Sequence, residues 1–244
     1  MKAMILAAGL GNRLRPLTQD TPKPILPVGN RPLIHYNLLL LKKYGITDVL
    51  INLHHCGEKI VQEVGNGLRF GVNVIYSEEP EILGTGGGIK KVRSELSKGT
   101  FLVINGDILI DINLDKLVEF HHRKKGAATL VLREDEAVEQ YGAIEVDAKN
   151  QIRNILGKCC WNGERLNRLM FAGVHVMEPK VLDHVPSDVF YSITDAYIEM
   201  VRRGEKLYGY VMRGYWNDIG VLERYQKADQ EMKKGKIKLS FVKP

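Results

Sequence analysis

Short apolar runs alternate with amphipathic stretches through the first half of the chain. Ala3 to Ala8 is an apolar run that stops at glycine, the pattern of a buried strand. Pro32 to Tyr44 places Leu33, Ile34, Leu38, Leu41 and Tyr44 at a helical period. Asp48 to Leu53 reads as a strand, Glu58 to Val64 as a short helix with Ile60, Val61 and Val64 on one side, and Val72 to Tyr76 as a further strand. Gly88 to Leu96 reads as a helix opened by glycines. Phe101 to Ile104 is a strand ending in Asn105-Gly106-Asp107, followed by a helix over Leu114 to Lys125 and a strand over Ala128 to Leu132. This rhythm predicts a mostly parallel sheet with helices on both faces.

The rhythm changes from Tyr141. Ala143 to Asp147 and Gln151 to Leu156 read as a hairpin around Lys149-Asn150. Phe171 to Met177 and Leu207 to Val211 read as strands, Thr194 to Arg203 as a helix, and Leu222 to Lys234 as a charged terminal helix. There is no repeat of 20–50 residues and no low-complexity linker.

Composition narrows the class. The 244 residues are 44% hydrophobic, which excludes a disordered or fibrous chain. No apolar run approaches the roughly 18 residues a membrane helix needs, and the apolar start is too short for a signal peptide. Cys56, Cys159 and Cys160 form no C-x-x-C, so reduced thiols in the cytoplasm are expected rather than a disulfide framework or structural zinc. Lys and Arg exceed Asp and Glu by 35 to 29, a net charge of +6. Much of that excess lies in Lys233, Lys234, Lys236, Lys238 and Lys243, which read as a frayed basic tail. Trp161, Trp216 and the tyrosines are too scattered for a nucleic-acid stacking platform, so no nucleic-acid partner is expected. The pairs His54-His55 and His121-His122 diverge on a strand or helix and read as structural.

The most informative stretch is Leu6-Ala7-Ala8-Gly9-Leu10-Gly11-Asn12-Arg13-Leu14-Arg15-Pro16-Leu17-Thr18, followed by Thr21-Pro22-Lys23-Pro24. A strand stops at glycines, which permit positive φ and let a phosphate approach the main chain. Arg13, Arg15 and Lys23 add cations matched to phosphate. Leu14 occupies the third glycine position of G-x-G-x-x-G, so a dinucleotide fingerprint fails, and a Walker A loop is absent. Asp107 follows a strand, where carboxylates face the ligand crevice of a parallel sheet. Asp111, four residues on, reads as the residue that ends a strand before the next helix.

This stretch resembles the signature of the sugar-1-phosphate nucleotidylyltransferases, L-A-x-G-x-G-x-R-L-x-P-L-T followed by P-K-P, at every constrained position. The resemblance continues in order through Leu83-Gly84-Thr85-Gly86-Gly87, Asn105-Gly106-Asp107, Tyr141-Gly142 and Trp216-Asn217-Asp218-Ile219-Gly220. It implies an α/β, Rossmann-like three-layer nucleotidyltransferase fold, with a mostly parallel mixed sheet and a small β-rich sugar-binding half. One nucleotidyltransferase domain over 1–244 is expected, its nucleotide-binding half at about 1–135 and its sugar-binding half with the C-terminal helix at about 136–244. That length is similar to the family's catalytic domain without an appended β-helix.

The family reaction is an in-line attack by a sugar-1-phosphate on the α-phosphorus of an NTP, which needs positioning and charge neutralisation rather than a nucleophilic side chain. By resemblance, Arg13, Lys23, Asp107 and Asp218 are catalytic, and Asp107 with Asp218 holds Mg²⁺. Leu6, Ala8, Gly9, Gly11, Glu79, Gly84 and Thr85 surround the nucleotide, with the second glycine loop offering the bare amides of a helix N-terminus. Gly142, Lys158 and Gly173 take the sugar. Glu79 stands near a base-reading position. A carboxylate only accepts hydrogen bonds and guanine presents two donors on one edge, which favours GTP with mannose- or heptose-type sugar phosphates. UTP with N-acetylmuramate-1-phosphate or glucose-1-phosphate is the alternative. A non-catalytic nucleotide-sugar-binding subunit and a choline-phosphate cytidylyltransferase stay open, the latter with Trp161 and Tyr141 as cage candidates. Many members carry Glu-Lys-Pro after the hairpin. Here Leu156-Gly157-Lys158-Cys159 keeps the lysine and lacks the glutamate, which leaves the sugar unassigned. A homo-oligomer is compatible with all of this, and no membrane partner is expected.

Overall fold

The computed structural model describes residues 1–136 and 138–242; Ala137, Lys243 and Pro244 lie outside the described residues. The chain forms two compact units, and neither is one continuous stretch. The first comprises 1–82, 104–112 and 214–244, and the second 83–103 and 113–213.

In the first unit the strands Lys2–Leu6, Asp48–Leu53 and Asn73–Glu78 lie parallel, with Ala3 opposite Val49 and Val49 opposite Val74. Ala3, Met4 and Ile5 are fully buried, and Val49, Leu50 and Ile51 nearly so, as expected of parallel strands covered on both faces. The first strand ends at Leu6, two residues before the expected Ala8, because the Ala7 amide turns to the Asn52 side chain instead of continuing a ladder. Helix Leu33–Lys43 buries Leu33, Ile34, Leu38, Leu40 and Leu41, matching the apolar period.

One element has no counterpart in the sequence reading. Ile108–Ile110 pairs antiparallel with Trp216–Asp218, setting Asp218 opposite Ile108. The basic tail is also not frayed. Ile237 and Leu239 are buried in a cluster with Val28, Leu33, Leu109 and Ile219, against which Met232, Phe241 and Val242 pack. The Asp111 carboxylate takes the Ser240 amide and hydroxyl, both at 2.7 Å, and Asp229 takes the Gly29 amide at 2.9 Å. Apolar residues between the lysines anchor the tail, while Lys233, Lys234, Lys236 and Lys238 stay exposed.

The second unit is mixed. Strand Ala128–Arg133 runs parallel to Leu207–Val211 and antiparallel to Asn167–Met177, which also pairs antiparallel with Ala143–Val146. Ala143–Val146 and Ile152–Ile155 form the expected hairpin. Its turn is held by Asp147, which accepts from the amides of Lys149 and Gln151 and from the Arg153 guanidinium, with Asn150 at φ 60°. Gly173, at φ 78°, sits where the register of Asn167–Met177 shifts against its neighbour, and so forms a β-bulge.

The helix expected at Gly88 begins at Gly84 and runs to Lys91, with a separate turn at Arg93–Leu96. Its glycines are not an opening loop. A Cβ on Gly87 would lie 2.5 Å from the Val189 carbonyl, and one on Gly86 would lie 3.0 Å from both the Tyr191 carbonyl and the Ile193 amide. Glycine is there because this helix packs main chain against main chain on residues 189–193.

Candidate active site

The signature turn builds one wall in the first unit. Gly11, at φ 65°, precedes the single 3₁₀ turn Asn12–Leu14. Thr18 is fully buried, and its hydroxyl donates to the Gly11 carbonyl at 2.7 Å. A Cβ on Gly11 would strike Thr18 at 2.9 Å, whereas one on Gly9 would meet nothing within 4 Å. Gly11 thus serves the fold of the turn, and Gly9 leaves open space over the main chain where an anion can approach. Arg13 is exposed on the 3₁₀ turn.

Lys23 opens a second 3₁₀ turn, Lys23–Ile25, preceded by Pro22. It is only 7% exposed, an unusual place for a lysine. Its Nζ donates to Asp107 Oδ2 at 2.7 Å and lies 3.8 Å from Asp218 Oδ1. Two local devices bring the carboxylates there. Asp107 follows Gly106, whose amide donates to the Leu6 carbonyl at 2.8 Å; a Cβ on Gly106 would lie 2.7 Å from that oxygen. The antiparallel ribbon then places Asp218 opposite Ile108, and the Ile219 amide donates to the Asp107 carbonyl at 3.1 Å. Burial pushes the Asp218 carboxyl above its usual range, the neighbouring Asp107 charge adds to this, and Lys23 and Arg13 pull the other way. Gly220 is tailored to this group, because a Cβ there would sit 2.5 Å and 2.8 Å from the two Asp218 oxygens.

Glu79, 3% exposed, is also in this unit. Its carboxylate accepts from Asn52 Nδ2 at 2.7 Å, and Asn52 Oδ1 in turn accepts from the Ala7 amide at 2.8 Å. Glu79 therefore fixes the start of the signature turn through Asn52. Leu6 and Ala8 flank that amide, Ala8 being buried. His54 and His55 bind the backbone carbonyls of Glu79 and Thr18, and His121 binds Thr129 and Glu178, so each has a structural partner.

The expected residues of the second unit form separate groups. Gly84, at φ 69°, lies under the Tyr191 carbonyl and the Phe190 ring, and Thr85 Oγ1 accepts from the Ile193 amide at 3.0 Å. The Gly86 and Gly87 amides donate to Tyr191 O at 2.8 Å and 3.2 Å, so these are not the bare amides expected of the second glycine loop. Gly142, at φ 86°, makes room for Leu156, itself at φ 55°. Lys158 is exposed at a hollow of about 460 Å³ that it lines with Arg153, Trp161 and Arg202, while its carbonyl is clamped by the Arg202 guanidinium. Gly142 and Gly173 do not line that hollow. Arg153 lies 4.6 Å over the Trp161 ring, so the indole face meets a guanidinium rather than forming an aromatic cage.

The sequence reading passed over Thr18, Asn52, Gly106, Gly220 and Arg224, whose guanidinium lies 3.8 Å from Asp218 Oδ2. Thr18, Gly106 and Gly220 stand within the quoted motifs; Asn52 and Arg224 carry no local signal.

The family model for nucleotidyl transferases matches residues 2–235. The chain belongs to that family. It is 32% identical to a D-glycero-alpha-D-manno-heptose 1-phosphate guanylyltransferase from Aneurinibacillus thermoaerophilus, over 95% of this chain and 98% of that protein. It is 35% identical to a UTP--glucose-1-phosphate uridylyltransferase from Synechocystis, over 93% of this chain but only 62% of that protein, so it spans less than two thirds of that relative's length. Among solved structures, HddC from Yersinia pseudotuberculosis complexed with GMP-PN superposes with a TM-score of 0.78 at 25% identity, covering 95% of this chain and 99% of that one. The family's α/β, Rossmann-like fold with a mixed central sheet is the fold class that the sequence implies. Among the described residues no helix is long and apolar enough to cross a membrane.

Proposed function

We propose that this chain transfers a nucleotidyl group from an NTP to a sugar-1-phosphate, releasing pyrophosphate. The observation that carries this reading is the buried Lys23 between Asp107 and Asp218, set beside the signature turn. A phosphate oxygen of the sugar-1-phosphate attacks the α-phosphorus, and the bond from that phosphorus to the bridging oxygen of the β-phosphate breaks. No side chain need become covalent; the protein orients two anions and offsets their charge.

On this reading Gly9 leaves room for the triphosphate at the main chain, Gly11 shapes the turn, and Arg13 meets the leaving pyrophosphate. Lys23 meets the α-phosphate and the sugar phosphate. Asp107 and Asp218 suit Mg²⁺, a hard cation that takes one or two carboxylates and fills its remaining positions with phosphate oxygens and water. The donor set fits: two carboxylates held close enough that one raises the proton affinity of the other call for a cation between them. When bound, the metal would neutralise charge on the reacting phosphates.

GTP with a mannose- or heptose-type sugar phosphate is the favoured pair, supported by the guanylyltransferase relative whose length this chain matches almost fully. UTP with glucose-1-phosphate is the second reading, favoured by the uridylyltransferase identity. Gly142, Lys158 and Gly173 remain the proposed sugar contacts, and a cytoplasmic setting suits the free thiols of Cys56, Cys159 and Cys160. A matrix of the four NTPs against several sugar-1-phosphates, with Mg²⁺ and read by pyrophosphate release, is expected to respond most strongly to GTP. Silence across the whole matrix refutes the reading.

Gly220 gives a sharper test of the carboxylate geometry. Gly220→Ala forces the Asp218 carboxylate aside, and a displacement of roughly 1 Å is expected to lower kcat about 10²-fold with the fold retained. Unchanged kcat would show that the Asp218 position does not matter.

A further inference from the structure

The Lys23 ammonium does more than stand near the phosphates. It is buried, it binds Asp107 directly at 2.7 Å, and it lies 3.8 Å from Asp218. Arg224 flanks the other oxygen of Asp218, also at 3.8 Å, but its side chain is more exposed, 34% against 9% for Lys23, which also binds Asp107. A single ammonium against two carboxylates leaves one net negative charge at the pair. A divalent cation alone would balance both carboxylates, but with Lys23 in place it would overshoot by one charge and meet a like charge within a few ångströms in a poorly solvated site.

We propose that Lys23 is a resident cation at the metal site, and that the divalent metal and Lys23 occupy the two carboxylates in exchange. The inference rests on the reading above that Asp107 and Asp218 are the metal ligands. A polyphosphate nearby gives the released ammonium a new set of anionic partners. Metal entry and nucleotide binding therefore help one another, and by linkage each raises the affinity of the other by the same factor. Before substrate arrives the ammonium occupies the space between the two carboxylates. It also discourages a metal from binding without the nucleotide that Lys23 must grip.

The test uses Mn²⁺ alone, without nucleotide, followed by electron paramagnetic resonance of free Mn²⁺. Lys23→Met keeps an unbranched side chain of similar bulk, one atom shorter, and removes its charge. It is expected to bind Mn²⁺ tighter than the wild-type chain by about tenfold or more, since a like charge at contact distance is removed. Asp107→Asn in the same background should abolish that gain. Equal or weaker Mn²⁺ binding by Lys23→Met overturns the proposal. A second measurement needs no variant: the rate of acetylation of Lys23, followed by mass spectrometry, should rise when Mg²⁺ is added to the wild-type chain. No change at saturating Mg²⁺ overturns it equally. Both readouts are independent of turnover. A chain that releases no pyrophosphate yet shows these shifts refutes the enzymatic reading and leaves the exchange intact.

Discussion

Asp218→Asn is expected to lower kcat for pyrophosphate release by about 10²–10³-fold, while the chain unfolds in urea at the same or a higher midpoint. The two effects have one cause. Asp218 is 8% exposed, and both burial and the Asp107 charge oppose its ionisation. Folding therefore holds a charged group where the loss of water and a neighbouring charge both oppose it. The amide of asparagine has the same shape and clears Gly220 as the carboxylate does, but carries no charge. It relieves the repulsion with Asp107 and cannot supply an anionic oxygen to a metal. Sites of this kind give up stability for function, so losing activity without losing stability is the diagnostic pair. Steady-state pyrophosphate release and urea titration on one preparation measure both. Activity near wild type would remove Asp218 from the reaction. A lowered midpoint would mean that its ion pair with Lys23 outweighs the desolvation cost.

Acid sensitivity from His175 is the second large effect. His175 lies on strand Asn167–Met177, 1% exposed, with Nδ1 paired to the Tyr197 hydroxyl at 2.5 Å and Nε2 unpartnered among the described residues. Burial pushes its pKa down to about 3 from 6.5. The folded imidazole therefore stays neutral where the unfolded one takes up a proton. The contribution of this group is fully present above about pH 6.5 and is lost as the pH falls from there toward 3. At pH 5 the loss amounts to about 2 kcal/mol relative to pH 7.5. His175→Leu removes the titrating group. The stability difference between wild type and variant, from urea unfolding at pH 7.5, 6 and 5, should shift in favour of the variant by about that amount on acidification. A difference that does not change with pH would place His175 in contact with water.

Much of the fold was legible because burial imposes a period. Asp48–Leu53 and Leu207–Val211 have the expected bounds, and helix Leu33–Lys43 lies within a residue of its expected ends at both termini. What the period cannot show is main chain meeting main chain. The first turn of the helix over Gly84–Lys91 reads as a loop because its glycines look like breakers; Gly86 and Gly87 have no positive φ there, and are small because residues 189–193 press on them. The ribbon Ile108–Ile110 with Trp216–Asp218 is too short to carry a pattern and joins residues more than a hundred positions apart. Lys23, Asp107 and Asp218 each stand in a separate motif, and the structure brings the three side chains together. Glu79 shows the limit. Its acceptor-only chemistry was readable, but its bond to Asn52 depends on two neighbouring parallel strands. The tail misled for a similar reason, since its lysines outnumber Ile237 and Leu239, which hold it down.

In the proposed reaction one bond forms at the α-phosphorus as another breaks, and phosphorus-31 magnetic resonance observes both. With GTP, mannose-1-phosphate and Mg²⁺, the three triphosphate signals and the sugar monophosphate signal should decline together. A sugar diphosphate nucleotide and pyrophosphate should rise in equal amounts, and replacing GTP by UTP should slow the exchange. Release of orthophosphate, or unchanged spectra with every NTP and sugar-1-phosphate tried, would contradict it.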